Sequence, residues 1–396
     1  MKYRLADICD IYDGPHATPP ETDTGPIFLG IKNINEQCEL DFADVKHLSE
    51  SDYERWTKRV VPQEDDIVFS YEATLNRYTL IPKGFYGCLG RRLAIARVKD
   101  RSMVNPHYLY HYFCSPSWKA FIITNKVIGS TVLRVSIEDF PDYEVDLPDI
   151  CIQNSVAKIL DDIVDKKKNN NAICADLEEM AKLLYDYWFV QFDFPDENGK
   201  PYKSSGGKMV WNEELNREIP DGWGVKALGD IISESDKSTV QVNGAKENGK
   251  YPFFTSGSSI LAYDEYFVDG FNCFLNTGGN PDVKGYKGKC AYSTDTWCIN
   301  AGKYSYLMYS YFVRILPQFE QLFFAGSGLK HLQKDILKKQ CLPIPSENII
   351  NKYNVIIERL WDKNTECLSE NQQLASLRDF LLPMLMNGQV KVKERP

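Results

Sequence analysis

"GSTVLRVSIEDFPDYEVDLP" (Gly129–Pro148) and "GSGLKHLQKDILKKQCLPIP" (Gly326–Pro345) lie 197 residues apart, and the second follows the outline of the first. With that offset held and no gaps, Val132 falls on Leu329, Val135 on Leu332, Glu138 on Asp335, Val145 on Leu342 and Pro148 on Pro345. The register runs on into two long amphipathic stretches. In the first, Ile152, Val156, Ile159, Ile163, Lys166, Asn170, Ile173, Leu177, Met180, Leu184 and Tyr187 alternate at steps of four and three, the a/d pattern of a coiled coil. In the second, the same phase selects Ile349, Tyr353, Ile356, Leu360, Lys363, Cys367, Glu370, Leu374, Leu377, Leu381 and Met384. Pro148 then Asp149, and Pro345 then Ser346, mark both starts with a breaker and an N-cap type.

Residues 152–189 as one helix would span about 57 Å, and a stripe that long must find a partner. Two equal seams in one chain predict an antiparallel pair and a pseudo-twofold relation between the halves. Lys166 and Asn170 are polar at seam positions and are expected to fix its register. The competing arrangement packs each helix on its own globular unit, the usual fate of an amphipathic helix.

Upstream of each stretch lie short β-like runs broken by Gly and Pro: "PIFLGIKNI", "DIVFSYEAT" and "RLAIARV", then "YPFFTSG", "NCFLNTGG" and "YSYLMYSYF". Both units open alike, "LADI" at Leu5 and "LGDI" at Leu228. The fold expected is α+β: two mixed α/β globular domains, 1–148 and 223–345, separated by a pair of long antiparallel coiled-coil helices at 149–190 and 346–387. The polar, Gly- and Pro-rich stretch 191–222 reads as a linker, and 388–396 as a tail.

The 396 residues are enough for two or more domains. No apolar run reaches the roughly 18 residues of a membrane span, and the N-terminus lacks signal-peptide features. A soluble, cytoplasmic protein is expected. The eleven cysteines are scattered without CxxC spacing, so reduced thiols are expected and a metal site is not. Net charge is −9, yet the span 73–134 carries ten Lys/Arg against Asp100 alone, and 271–339 carries nine against four. Both basic stretches suit a phosphate-bearing partner.

The chain resembles the specificity subunit of type I restriction-modification systems. The likeness rests on "GKPYKSSGGKMVWNEELNREIPDGW" at the junction, "LRDFLLPMLMNGQV" near the C-terminus, the Gly-Ser to "LP" passage before each helix, and the duplicated layout. The resemblance implies two target-recognition domains that each read half of a split double-stranded DNA sequence, with the helices as a ruler. It implies docking of two modification subunits that hold S-adenosylmethionine and methylate adenine, and a restriction subunit that can join them. This chain would then bind no cofactor and carry no catalytic residue. A ruler is also what helical phase demands, and half-sites roughly one duplex turn apart are expected.

Arginine forks suit guanine, and Asn, Ser and Thr suit adenine or either base. In the first domain the DNA-binding candidates are His16, Thr18, Arg77, Arg91, Arg92, Lys126, Ser130, Thr131 and Arg134. In the second they are Thr255, Ser256, Asn276, Asn280, Lys284, Lys287, Lys330 and His331. Three stretches invite enzymatic readings and fail them. "GAKENGKY" at Gly244 has Tyr251 in place of the P-loop hydroxyl and then Pro252, "NPHY" at Asn105 reads as a capped helix start, and "PDENGK" at Pro195 has no strand to aim it. The rival readings are a stand-alone DNA methyltransferase or nuclease with degenerate motifs, and a non-DNA coiled-coil scaffold.

Overall fold

The computed structural model describes residues 1–42, 44–127, 131–246, 249–257 and 260–390. Two compact units emerge, Met1–Lys166 with the residues from Leu374 onward, and Lys167–Gln373. Each therefore contains parts of both long helices, which run Ile150–Tyr185, followed by a π-turn Asp186–Val190, and Glu347–Met386.

The two units repeat one topology. In the first, a four-stranded antiparallel sheet has the order Cys9–Asp13, Leu93–Val98, Ile67–Ser70, Tyr78–Leu80. In the second, the order is Ser233–Glu234, Thr296–Asn300, Phe271–Asn276, Val283–Lys287. A three-stranded sheet accompanies each, with a central strand (Thr22–Leu29 or Tyr251–Phe254) that is parallel to one neighbour and antiparallel to the other. The opening strand pairs with the strand just before the long helix, Lys2 opposite Asp146 and Val225 opposite Pro343. The 197-residue offset thus separates 146 from 343 as well. The doubled passage is the segment that closes each globular unit and turns into its helix.

In the first unit the core gathers Phe69 stacked on Phe140 at 4.2 Å and Phe113 on Trp118 at 4.7 Å. Val156, Ala157 and Leu160 of the first helix and Leu382, Leu385 and Met386 of the second join the same cluster. Burial of each such large side chain is worth about 1.5–3 kcal/mol. Helix Pro106–Cys114 starts where Asn105 Oδ1 accepts from Tyr108 N with proline in the first turn, so "NPHY" is a cap.

In the second unit the pairing of the helices is direct. Asn170 Nδ2 donates to Glu370 Oε2 (2.8 Å) and Asn371 Oδ1 (3.1 Å), Asn371 Nδ2 donates to Asn171 Oδ1 (2.7 Å), and Cys174 meets the Asn364 carbonyl. Further along, Trp188 and Phe189 pack on Tyr353 at 5.8 and 4.8 Å. Partner numbers rise on one helix as they fall on the other, so the pair is antiparallel.

Half of the predicted seam is displaced. Val156, Ile163, Asn170, Ile349, Tyr353 and Cys367 are buried, and Ile159, Leu177, Leu184, Leu360, Leu374, Leu381 and Met384 are partly so. Ile152, Ile173, Met180, Ile356 and Leu377 instead are exposed, and their places are taken by Gln153, Cys174, Ala181, Ile357 and Arg378. One seam position per heptad is as expected and the other lies one residue later. At Gln153, Cys174 and Ala181 the pattern misleads because the buried residue is small or polar while its outward neighbour is apolar. Lys166 is exposed, and the register rests on Asn170 and Asn371, which are buried.

The stretch 191–222 is not a loose linker. Met209–Asn212 and Arg217–Pro220 form a hairpin, Phe192, Phe194 and Ile219 enter the core of the second unit, and Phe194 stacks between Tyr202 (4.7 Å) and Trp223 (5.2 Å). A few aromatic residues among many polar ones are enough to fold it down.

Candidate nucleic-acid interface

In the first unit, backbone hydrogen bonds lay separate segments side by side at one end. Gly14 N donates to Leu93 O (2.8 Å), Tyr71 N to Arg92 O (3.1 Å), Ala73 N to Leu133 O (2.8 Å), Val135 N to Tyr71 O (2.8 Å) and Val127 N to Arg134 O (2.9 Å), and the backbones of Glu72 and Arg134 face each other in an isolated antiparallel β-bridge. These bonds assemble a tip from the loop after Gly14, the corner Gly90–Arg92, the turn at 71–76 and the arm 131–134. Ala73, Asn76 and Arg92 hold φ of 69°, 64° and 74° there. Left-handed backbone at non-glycine residues costs about 1 kcal/mol or more each, and it persists only where neighbours enforce it, as at binding sites.

Arg91, Lys126, Arg134, Thr18 and Thr131 are exposed on this tip, and among the described residues none of the three cations has a carboxylate partner. His16 is exposed with Nε2 3.0 Å from Asp13. Ser130 lies outside the described residues. Arg92 and Arg77 are paired, with Glu72 and Glu36 at 3.0 Å each, and Arg77 is largely buried. The sparse local acids promised unpaired bases, but Arg97, Lys99 and Arg101 also find Asp66, Asp10 and Asp65 at 2.7, 3.5 and 2.7 Å. These acids come from outside the counted stretch, so counting along the chain missed them.

The second unit repeats the frame. Thr277 N donates to Asp295 O (3.0 Å), Gly279 N to Lys330 O (3.2 Å) and Leu332 N to Thr277 O (3.1 Å), and Gly278 bridges to His331. Leu133 and Lys330, Arg134 and His331, and Val135 and Leu332 each stand 197 residues apart. The passage that is duplicated in sequence is the same backbone latch in both tips.

The side chains diverge. Asn276 is buried and its Nδ2 ties Ser256 O (3.0 Å) to Asn280 O (2.9 Å), while the Ser256 and Thr277 hydroxyls both donate to Asp295 O (2.8 and 3.0 Å). Thr255 is buried and accepts Gly257 N on its hydroxyl and Lys284 Nζ on its carbonyl (3.0 Å), and Lys284 also pairs with Asp282 at 2.8 Å. Thr255, Asn276 and Lys284 therefore shape the loops from within. Lys287 grips the second long helix through Glu358 (2.8 Å) and Asp362. Burial works against its charge, but the two carboxylates push its pKa up to about 12. It belongs to the frame, not the tip. Lys330 pairs with Glu320 at 2.7 Å, and Asn280 and His331 are exposed. Glu72 and Asp295, acids set in these tips, lie outside the residue types that phosphate and guanine contacts single out.

A family profile described as "Type I restriction modification DNA specificity domain" matches residues 1–179 and again 220–374. The chain belongs to this family. The type I restriction enzyme MjaIX specificity subunit of Methanocaldococcus jannaschii is 27% identical over 322 residues, covering 72% of this chain and 69% of the relative. The EcoDI specificity subunit of Escherichia coli is 24% identical over 181 residues, 44% of this chain and 40% of that one. The crystal structure of the type I restriction-modification S subunit from M. genitalium superposes with a TM-score of 0.58 at 14% identity, covering 97% of this chain and 95% of that one, a likeness of fold.

As a type I specificity subunit the chain is a DNA-recognition component and not the catalyst. The segments that imitate catalytic motifs have structural duties. "PDENGK" is a turn in which Asp196 Oδ1 accepts from Asn198 N and Lys200 N (2.8 Å each), and "GAKENGKY", of which 247–248 lie outside the described residues, leads into strand Tyr251–Phe254. Among the described residues no His, Cys, Asp or Glu group is arranged to hold a metal, and no helix is long and apolar enough to cross a membrane. All eleven cysteines are free.

Proposed function

We propose that this specificity subunit reads a bipartite duplex, one tip to each half-site, and docks two adenine-methyltransferase subunits through its long helices. The reading extends to a restriction subunit joining that assembly, in the cytoplasm. S-adenosylmethionine is held by the modification subunits and not by this chain. The observation that carries the reading is one backbone latch used twice beneath two different sets of side chains, which is what two unlike half-sequences require. Docking is supported by the apolar residues that the helix pair leaves outside, Ile173, Met180 and Leu183 on the first helix and Val355 and Ile356 on the second.

The test is the salt dependence of duplex binding by the full-length chain. Each neutralised phosphate contributes a slope of about −0.9 to log affinity against log salt, so contacts at two tips give a steep line. A flat line, or no duplex binding, returns the chain to the scaffold reading. Calorimetry with S-adenosylmethionine and no partner is expected to show no heat, and a clear binding isotherm would favour the stand-alone methyltransferase.

A further inference from the structure

The corner Gly90–Arg91–Arg92 and the corner Ser293–Thr294–Asp295 stand 203 residues apart and are fixed by the same three backbone bonds. Gly90 N donates to Leu29 O (2.6 Å) as Ser293 N does to Phe254 O (2.9 Å). Leu93 N returns to Gly90 O (3.4 Å) as Thr296 N returns to Ser293 O (3.2 Å), and Tyr71 N binds Arg92 O as Thr277 N binds Asp295 O. Each corner joins the outer strand of the three-stranded sheet to the second strand of the four-stranded sheet. Asp295 thus falls on Arg92 and Thr294 on Arg91, so an acid in one corner stands where the other has a base.

Asp295 is exposed, and no cation pairs with it among the described residues. Its backbone is among the most firmly held in the tip, because its carbonyl receives the Ser256 and Thr277 hydroxyls as well as Thr277 N. An unpaired carboxylate on a surface meant for a polyanion repels phosphate. Held on a rigid corner, it is placed to accept a hydrogen bond from a base edge. Cytosine N4 in the major groove is the donor that suits a carboxylate, as guanine O6 and N7 suit the arginine corner of the other unit. The geometry points to Asp295 as a specificity-determining residue that reads a cytosine in the half-site of the second unit, with Arg91, the exposed neighbour of the equivalent and Glu72-paired Arg92, reading a guanine or its flanking phosphate in the other. This rests on the reading of the chain as a two-tip DNA reader.

The experiment retains duplexes from a random-sequence library on the full-length chain and sequences them, for wild type, Asp295→Ala, Asp295→Asn and Arg91→Ala. Wild type is expected to prefer cytosine at one position by about ten- to hundredfold. Asp295→Ala abolishes that preference and leaves the other half-site intact, whereas Asp295→Asn, which keeps the shape, moves it toward adenine. Arg91→Ala alters only the other half-site. The inference is overturned if Asp295→Ala leaves every preference in place, or if it tightens binding to all sequences alike, as loss of mere repulsion would. A wild-type chain that selects nothing overturns the two-tip reading itself, which the substituted chains cannot do.

Discussion

Replacing Asn170 and Asn371 by leucine, singly and together, probes what fixes the register of the helix pair. Asn170 is 1% exposed and Asn371 9%, and the bond between them sits beside those to Glu370 and Asn171. Asn170→Leu strips Asn371 Oδ1 of its donor in a buried place, and Asn371→Leu leaves Asn170 with Glu370 alone. An orphaned buried polar group costs about 1–3 kcal/mol, whereas replacing both partners by apolar groups is close to neutral. Each single variant is therefore expected to lose about 1–3 kcal/mol and the double variant less than their sum, a coupling of about 1–2 kcal/mol. Equilibrium denaturant unfolding followed by tryptophan fluorescence reads this, because Trp188 and Trp361 lie in the same unit's core. With two units the transition must be assigned to the one containing these residues before energies are extracted. Additive single and double changes would refute the claim that the asparagines act as a unit. A polar pair at a seam gives up stability for a single register, so the double variant is also expected to admit more than one helix pairing.

Other expectations follow from the tips and the cores. Arg91→Ala and Lys126→Ala should each lower the salt slope of duplex binding by about one phosphate's share, whereas Lys287→Met, which removes a grip on Glu358 and Asp362, should lower thermal stability and leave the slope alone. Gly285→Val should destabilise the second unit by about 1–3 kcal/mol, since a Cβ there would lie 2.8 Å from both Trp361 and Tyr309. Asp161 lies 2.8 Å from both His107 and His111, and although burial opposes its charge, the two histidines hold its pKa down to about 2. Its folded pKa is below the unfolded 3.8, so its contribution is present above pH 3.8 and is lost as pH falls toward 2. His107 is shifted the other way, raised first by its bond to Asp161, so its contribution is full below pH 6.5 and fades as pH rises through the raised value. Asp161→Asn should therefore remove the acid dependence and weaken the alkaline one in unfolding profiles of the first unit, since Asp65 also faces His107 at 3.2 Å. Profiles that run parallel to wild type would contradict the assignment.

The duplicated passage was legible because it serves one backbone duty twice: Arg134 and His331 differ in chemistry yet bridge in the same way, so spacing survives where side chains do not. The seam was legible by halves. Hydrophobicity selects Ile173 over Cys174 and Met180 over Ala181, while close approach of two helices selects the small residue. Composition hid the packed hairpin in 191–222, since three buried apolar side chains, Phe192, Phe194 and Ile219, decide its fate among many polar ones. At the tips, Arg91, Lys126 and Arg134, singled out by residue type, are exposed. Lys284 and Lys287 are ion-paired, and for Lys287 only the fold shows it, since Glu358 and Asp362 lie 71 and 75 positions away along the chain.

On the proposed function, the helix pair sets the interval between two half-sequences. Seven residues inserted into both long helices, at the facing positions of Asn170 and Asn371, add about 10.5 Å, or roughly three base pairs. Binding of wild type and the inserted variant is measured on duplexes that keep both half-sites and vary the gap one base pair at a time. The expected result is a single permitted gap for wild type and one about three base pairs longer for the variant, with both half-sequences unchanged. An unmoved gap, or altered half-sequences at the old gap, would contradict it.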